Sequence, residues 1–129
     1  MTLEQTREFF KGDLYATEVT GIVIDDCGPN YARCSLVLEP KHRNAAGQVM
    51  GGVLFTLADF AFAVAANNNG PLTVTAVSQI SFLSAARGSV LTAETRLVKD
   101  GKRSCYFQID ITDDLGTLVA TVSSSGMHL

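Results

Sequence analysis

Asp59 is the only ionisable side chain in residues 47–70, GQVMGGVLFTLADFAFAVAANNNG. A carboxylate among Leu, Phe, Ala and Val costs free energy unless it is hydrogen-bonded or faces a solvated cleft. In such a cleft it would take a proton from water or attack a carbonyl itself. Eight positions earlier, Gly51-Gly52 stands where a polar loop gives way to a helical pattern. The first amides of a helix have no intrahelical partners, and with the helix dipole they favour negative charge, including the oxyanion formed when a carbonyl is attacked. Glycine at that point lets a substrate approach the backbone. Each feature also has a plainer explanation: close chain packing for the glycines, and strand capping or pairing across a subunit interface for the aspartate.

Other chemistries find less support. No Lys-Ser/Thr follows the glycines, so they are not a Walker phosphate loop, and there is no G-x-S-x-G nucleophile elbow. His42 and His128 have no metal-pair spacing, and a loop position and a near-terminal position predict that both are exposed. Cys27, Cys34 and Cys105 lack metal-ligand spacing as well. A turn at Gly28-Pro29-Asn30 would leave Cys27 and Cys34 out of direct opposition, so three reduced thiols are expected.

The elements that must position these residues follow from periodicity and turn chemistry. Thr2 and Gln5 fit a capping box at the start of a short helix. TEVTGIVIDD (17–26) and YARCSLVLEP (31–40) read as a hairpin around Gly28-Pro29-Asn30. KHRNAAGQ (41–48) is a polar loop. VLFTLADFAFAVAANN, without internal Gly or Pro, is a long helix, and it stops in Asn67-Asn68-Asn69-Gly70-Pro71. Four strands are then expected over 72–85, 89–98, 104–112 and 118–127, separated by turns at Arg87-Gly88, residues 99–102 and residues 113–116. The order gives an α+β fold with a meander, in one domain spanning residues 1–129. The central helix is apolar on nearly all faces and must be covered on nearly all sides, by a sheet curled around it and by a second subunit.

Composition narrows the partners. The net charge is −3 with scattered Lys and Arg, so no nucleic-acid footprint is expected. The N-terminus has no apolar signal core, and the apolar stretches flanking Asp59 fall short of the roughly 20 residues of a membrane span. A soluble, cytoplasmic protein with no membrane partner is expected. A hydrophobic fraction of 47% is high for a small soluble monomer and points to an oligomer. The oligomer bears on the chemistry. At ~1.5 Å per residue, Gly51 and Asp59 lie roughly 12 Å apart along one helix, so they reach one reacting atom only if Gly51 of one subunit meets Asp59 of another. A two-fold dimer would hold two such composite sites.

HRNAAGQVMGGVLFTLADFAFAVAANN (42–68), followed by VTAVSQISFLSAARGSVLTAETRLVKDGKRSCYFQIDITDDLGTLVATVSSSGM, resembles the hotdog-fold acyl-CoA thioesterases of the phenylacetate-degradation (PaaI-like) type. The resemblance begins near residue 15, and the spacing from Asn through Gly-Gly to Leu-Ala-Asp is more specific than either half. It implies a long helix wrapped by a curved antiparallel sheet, homodimers that often pair into tetramers, and active sites at the subunit interface. It implies that the Gly51 N–H binds the thioester carbonyl oxygen, that Asp59 acts as general base or nucleophile, that Asn44 lies near the reacting thioester or water, and that the Thr75 hydroxyl places the water or the carboxylate. Asn44 and Gly51 would come from one subunit, and Asp59 and Thr75 from the other. The family usually has His before Gly-Gly where this chain has Met50, which leaves rate and substrate preference open. Met50 would be either a flexible acyl-contacting wall or plain packing.

The expected reaction is hydrolysis of a small or medium acyl- or aryl-CoA, with coenzyme A as part of the substrate and no cofactor or metal. Beside Gly52 at the helix start, Phe60, Phe62, Phe82 and Leu83 are candidates either for an acyl pocket or for the core. Arg87, Lys99, Lys102 and Arg103 are candidates either for the CoA phosphates or for solvated turn charges. Two rivals remain: a non-catalytic acyl-CoA or small-ligand binding protein, and a hotdog dehydratase or hydratase, which would want a helix His that this chain lacks.

Overall fold

The computed structural model describes residues 1–68 and 72–129. The part of the expected helix stop at Asn69, Gly70 and Pro71 lies outside the described residues. Helix α1 (Leu3–Phe10) begins at the expected capping box: the Gln5 N–H donates to Thr2 Oγ1 at 3.2 Å, and the Thr2 N–H donates to Gln5 Oε1 at 2.9 Å.

Residues 17–22, expected to be extended, are not. Tyr15–Thr20 forms a wide helical turn, with the Gly21 N–H reaching the Ala16 carbonyl at 3.1 Å. Local hydrogen bonding overrides the β-propensity of Thr17, Val19 and Thr20. The Thr17 N–H and hydroxyl both donate to the Asp13 carbonyl at 2.9 Å, and Gly21 closes the turn at φ +91°, a conformation that glycine adopts without steric cost. The buried residues of this segment, Ala16 and Thr20, are four apart, a helical spacing.

Strands β1 (Val23–Gly28) and β2 (Tyr31–Val37) form the expected hairpin, with Asn30 in the left-handed region at φ +57°. Cys27 faces Ala32 and Cys34 faces Ile24, and all three thiols are free. Helix α2 (Gly51–Ala66) is followed by β3 (Thr73–Phe82), β4 (Val90–Asp100), β5 (Ser104–Asp113) and β6 (Leu118–His128). The sheet order is β1-β2-β4-β5-β6-β3. Only β4 to β6 run as a meander. Strand β3 lies beside β6, so residues 83–89 carry the chain across the sheet before β4 begins, tied on the way by the Leu83 N–H to the Val119 carbonyl at 2.8 Å.

The curved sheet covers one side of α2. Leu54, Leu57, Ala58, Phe60, Ala61, Phe62, Val64, Ala65 and Ala66 are buried, and a fully buried Leu or Phe contributes roughly 1.5–3 kcal/mol. Phe62 meets Phe107 edge to face at 5.4 Å, and Phe60 meets Phe10 of α1 at 5.7 Å. Strand β6 comes so close that a Cβ at Gly126 would lie 2.7 Å from the Phe62 ring. The opposite stripe of the helix, Gly52, Phe55, Thr56, Asp59 and Ala63, is left open or half-open on the single chain.

Candidate active site

The two ends of the chemical motif on α2 open into different clefts. At the helix start, Met50 is the N-cap, and its thioether makes no capping hydrogen bond. The Val53 N–H reaches the Met50 carbonyl at 3.0 Å, while the Gly51 and Gly52 N–H groups have no partner among the described residues. These are free donors at the positive end of a 16-residue helix. Gly51 lies in a cleft of about 540 Å³ together with Gln48, Val49, Leu54, Phe82 and Leu83. A Cβ at Gly51 would sit 2.9 Å from Phe82 Cζ, so the missing side chain is what lets that ring lie across the helix start. Gly52 faces outward, with only Met50 Cε near its would-be Cβ, at 3.7 Å.

Asn44 organises the loop that enters this cleft. Its Oδ1 accepts the Ala46 N–H at 3.0 Å and the Gln48 N–H at 3.1 Å, and its own N–H donates to the Gln48 carbonyl at 2.8 Å. This is an Asx-type turn. The side-chain NH2 has no partner among the described residues.

Two turns along α2, Asp59 opens into a second cleft of about 430 Å³, walled by Asp13, Leu14, Tyr15, Phe55 and Phe60. Among the described residues, none lines both clefts. The Thr75 hydroxyl, on β3 beside a bulge between Thr75 and Val77, donates to Asp59 Oδ1 at 3.4 Å. Asp59 is exposed on the single chain, yet the cleft walls remove enough water to push its carboxyl above the ordinary aspartate value. The Thr75 bond pulls the other way, and the nearby Asp13 charge pushes up again. The result is a weakly bonded carboxylate poised to accept a proton.

The remaining candidates divide. Phe60 and Phe62 are core residues, although Phe60 also shows an edge to the Asp59 cleft. Phe82 is exposed and lies over Gly51. Arg87 precedes β4, whereas Lys102 and Arg103 follow it and line a third cleft with Lys99. Eleven strand residues at ~3.3 Å each put roughly 30 Å or more between them, so one chain does not gather them around one phosphate. The Arg87 Nε–H is already committed to Thr117 Oγ1 at 3.2 Å.

The structure also corrects the histidines. His42 is buried: its Nδ1 accepts the Glu39 N–H at 2.9 Å, which assigns the proton to Nε2, and Nε2–H then donates to the Thr20 carbonyl at 2.8 Å. Its loop folds back onto the Tyr15–Thr20 turn, a long-range contact that loop composition does not encode. His128 is held between Thr73 Oγ1 at 2.7 Å and Asp100 Oδ1 at 2.9 Å. Thr73 is 5% exposed, and this trio clamps the end of β6 to the start of β3 and the end of β4. Sequence reading also missed Asp113 and Asp114, seen only as turn residues. Asp113 accepts four backbone N–H bonds at the β5–β6 turn. The available signal was Asp-Asp-x-Gly, a turn-forming pattern that does not reveal what the carboxylates hold.

No group of three or more potential metal ligands occurs among the described residues, and none of their helices is long and apolar enough to cross a membrane.

Comparison with known proteins adds the family. The thioesterase superfamily profile matches residues 46–120. The acyl-coenzyme A thioesterase PaaI of Escherichia coli is 32% identical over 101 residues, covering 78% of this chain and 72% of that protein. A protein of Archaeoglobus fulgidus provisionally named an esterase is 34% identical over 91 residues, covering 70% of this chain. This match and one to a similarly named protein of Deinococcus radiodurans span only 59% and 64% of those relatives' lengths. The solved structure of the E. coli PaaI protein from the phenylacetic acid degradation operon superposes with a TM-score of 0.86 at 25% identity, covering 99% of this chain and 96% of that one.

Proposed function

The chain belongs to the thioesterase superfamily and has the PaaI-like hotdog fold, and from that premise we propose that it hydrolyses small or medium acyl- or aryl-CoA thioesters to the free acid and coenzyme A. The observation that carries the reading is Asp59: a carboxylate with a raised pKa, under one long bond from Thr75, in an open cleft on the same helix whose uncapped start holds Gly51. Water attacks the thioester carbonyl as Asp59 takes its proton, or Asp59 attacks directly and water then cleaves the resulting anhydride. In either route the carbonyl oxygen becomes an oxyanion held by the Gly51 N–H, and its collapse expels the CoA thiolate. A thiolate needs little protonation to leave, so the reaction calls for no separate general acid, and it uses no metal or redox cofactor. One backbone donor to the oxyanion is worth about 10²–10³-fold in rate.

The site is composite in this reading, with Gly51 of one subunit facing Asp59 of a second in a homodimer. Three features support it: the two clefts share no lining residue, the α2 stripe around Asp59 is uncovered, and β3 is an edge strand with exposed Val74 and Val77. An unpaired apolar edge invites pairing with another strand.

The experiment is thiol release from a panel of acyl- and aryl-CoA substrates, comparing wild type with Asp59→Asn at equal folded content, alongside light scattering. Turnover abolished in the variant is the expected result. Equal turnover would remove Asp59 from the mechanism, and a monomer at micromolar concentration would defeat the composite site. Tight CoA-ester binding without turnover would favour a binding protein, with Met50, which presents no imidazole at the helix start, as the reason.

A further inference from the structure

We propose that the acyl group of the substrate lies in the Asp59 cleft and that Asp13 makes this subsite reject acyl groups carrying a carboxylate of their own. This deepens the thioesterase reading and rests on it. The cleft walls include Leu14, Tyr15, Phe55, Phe60 and Ala63, and among the described residues its charged lining is Asp13 and Asp59. Its volume of about 430 Å³ falls within the roughly 300–1,000 Å³ of small-molecule sites.

Asp13 is held there by its backbone and not by its side chain. Its N–H donates to the Phe10 carbonyl at 3.0 Å, and its carbonyl accepts the Thr17 N–H and hydroxyl at 2.9 Å. Its carboxylate has no hydrogen-bond or ion-pair partner among the described residues. The cations on the preceding helix and its cap are engaged elsewhere: Arg7 bonds Glu4 and the Ile24 carbonyl, and Lys11 pairs with Glu8. On this chain, and among its described residues, an anionic acyl tail in the cleft therefore meets two carboxylates and no cation.

Asp13 also lines an adjoining cleft of about 660 Å³ with Met1, Phe9, Phe10, Ala63 and Leu72, in which the Met1 ammonium is engaged by the Asn68 carbonyl at 3.2 Å. It stands at the junction along which a chain longer than the first cleft would extend. A terminal methyl passes this point at no electrostatic cost, while a terminal carboxylate is repelled at short range in a partly desolvated groove. After burial and the Thr75 bond, the Asp13 charge is the smallest of three influences on the Asp59 carboxyl, and it pushes upward.

The test compares kcat/KM for hexanoyl-CoA and adipoyl-CoA, equal in carbon number and differing by one terminal carboxylate, in wild type, Asp13→Asn and Asp13→Lys. Affinities for the matching non-hydrolysable thioethers are measured in parallel. Wild type should favour the hexanoyl ester, Asp13→Asn should raise the adipoyl-to-hexanoyl ratio roughly five- to tenfold, and Asp13→Lys should raise it further. An unchanged ratio in both variants, with hexanoyl turnover intact, overturns the role of Asp13 while leaving the thioesterase reading standing. If wild type hydrolyses neither ester, the wider acyl- and aryl-CoA panel decides the thioesterase reading, and the thioether affinities decide charge selection: an affinity ratio that does not respond to Asp13 overturns it.

Discussion

Asp59 and Asp113 are carboxylates of one small domain held in opposite ways. Asp113 closes the β5–β6 turn, where its two oxygens accept the N–H groups of Arg87, Gly88, Leu115 and Thr117 at 2.8–3.0 Å. Burial pushes its carboxyl up, but those four donors outweigh burial and hold it well below the usual carboxylate range. Next to it, Asp114 accepts the Ser89 and Val90 N–H groups, so the two acids together pin the start of β4 to the end of β5. Asp59 has one hydroxyl at 3.4 Å and a raised pKa. A carboxylate that holds structure has its lone pairs filled by fixed donors, which makes it a poor base. One left under-bonded in a cleft keeps a lone pair and a proton affinity for a reaction.

The sharpest way to break this comparison is to neutralise each acid in turn. Asp59→Asn should lower kcat/KM by roughly 10²–10⁴-fold with little change in melting temperature. Asp113→Asn should lower Tm by roughly 5–10 °C while activity per folded molecule stays close to wild type. Thiol-release kinetics and thermal melts of both variants check the pair, and a large Tm loss in Asp59→Asn would make that residue structural after all.

A smaller effect is expected at Gly88, where a Cβ would lie 1.8 Å from Asp114 Oδ1. Gly88→Ala should displace the Asp114 carboxylate from its two strand amides and lower the midpoint of denaturant unfolding. Gly51→Ala should be milder in stability, because Phe82 Cζ is the free end of an exposed ring that can swing away. Its loss should appear in turnover, as about a tenfold drop from crowding at the proposed oxyanion donor.

Acidity sharpens the contrast further. The folded Asp59 carboxyl titrates above its ordinary 3.8, so with Asp59 as the proposed base kcat/KM should fall at a pH above that value as the solution is acidified. Thr75→Val removes a bond that favours the charged form, so the acid limb should move to higher pH, a shift that pH–rate profiles will read. Asp113 behaves in the reverse sense. Its folded pKa is depressed, so its stabilisation is complete above the unfolded value of about 3.9 and drains away as pH falls from there toward the folded one. The Tm gap between wild type and Asp113→Asn should therefore close in acid. A constant gap would mean that the clasp does not depend on the Asp113 charge.

Much of the candidate site was legible along the chain. Asp59 stands out because one charge interrupts a long apolar helix, and Gly51 because glycines precede that helix. The link between Thr75 and Asp59 came from family resemblance, and the hydroxyl indeed meets the carboxylate. The Asp13 side of the cleft was not legible. It depends on the Tyr15–Thr20 turn, whose residues 17–20 pattern alone read as strand, and on α1 docking Phe10 against Phe60. His42 failed for the same reason: a polar loop predicts exposure, and a fold that brings Thr20 and Glu39 to its ring nitrogens reverses that.

By itself the sequence determined what short-range physics controls. Periodicity set α2 and most of the strands, the Thr2 and Gln5 pair started α1, turn residues placed the β1–β2 hairpin, and the helix rise separated Gly51 from Asp59. The tertiary structure decided what depends on partners distant in sequence. It placed β3 beside β6 instead of β4, put Asp13 in the same cleft as Asp59, and gave Asp113 four amides while leaving Asp59 nearly bare. Strand order and the solvation of a carboxylate are set by which long-range surfaces meet, and a period of two or 3.6 residues carries no record of that.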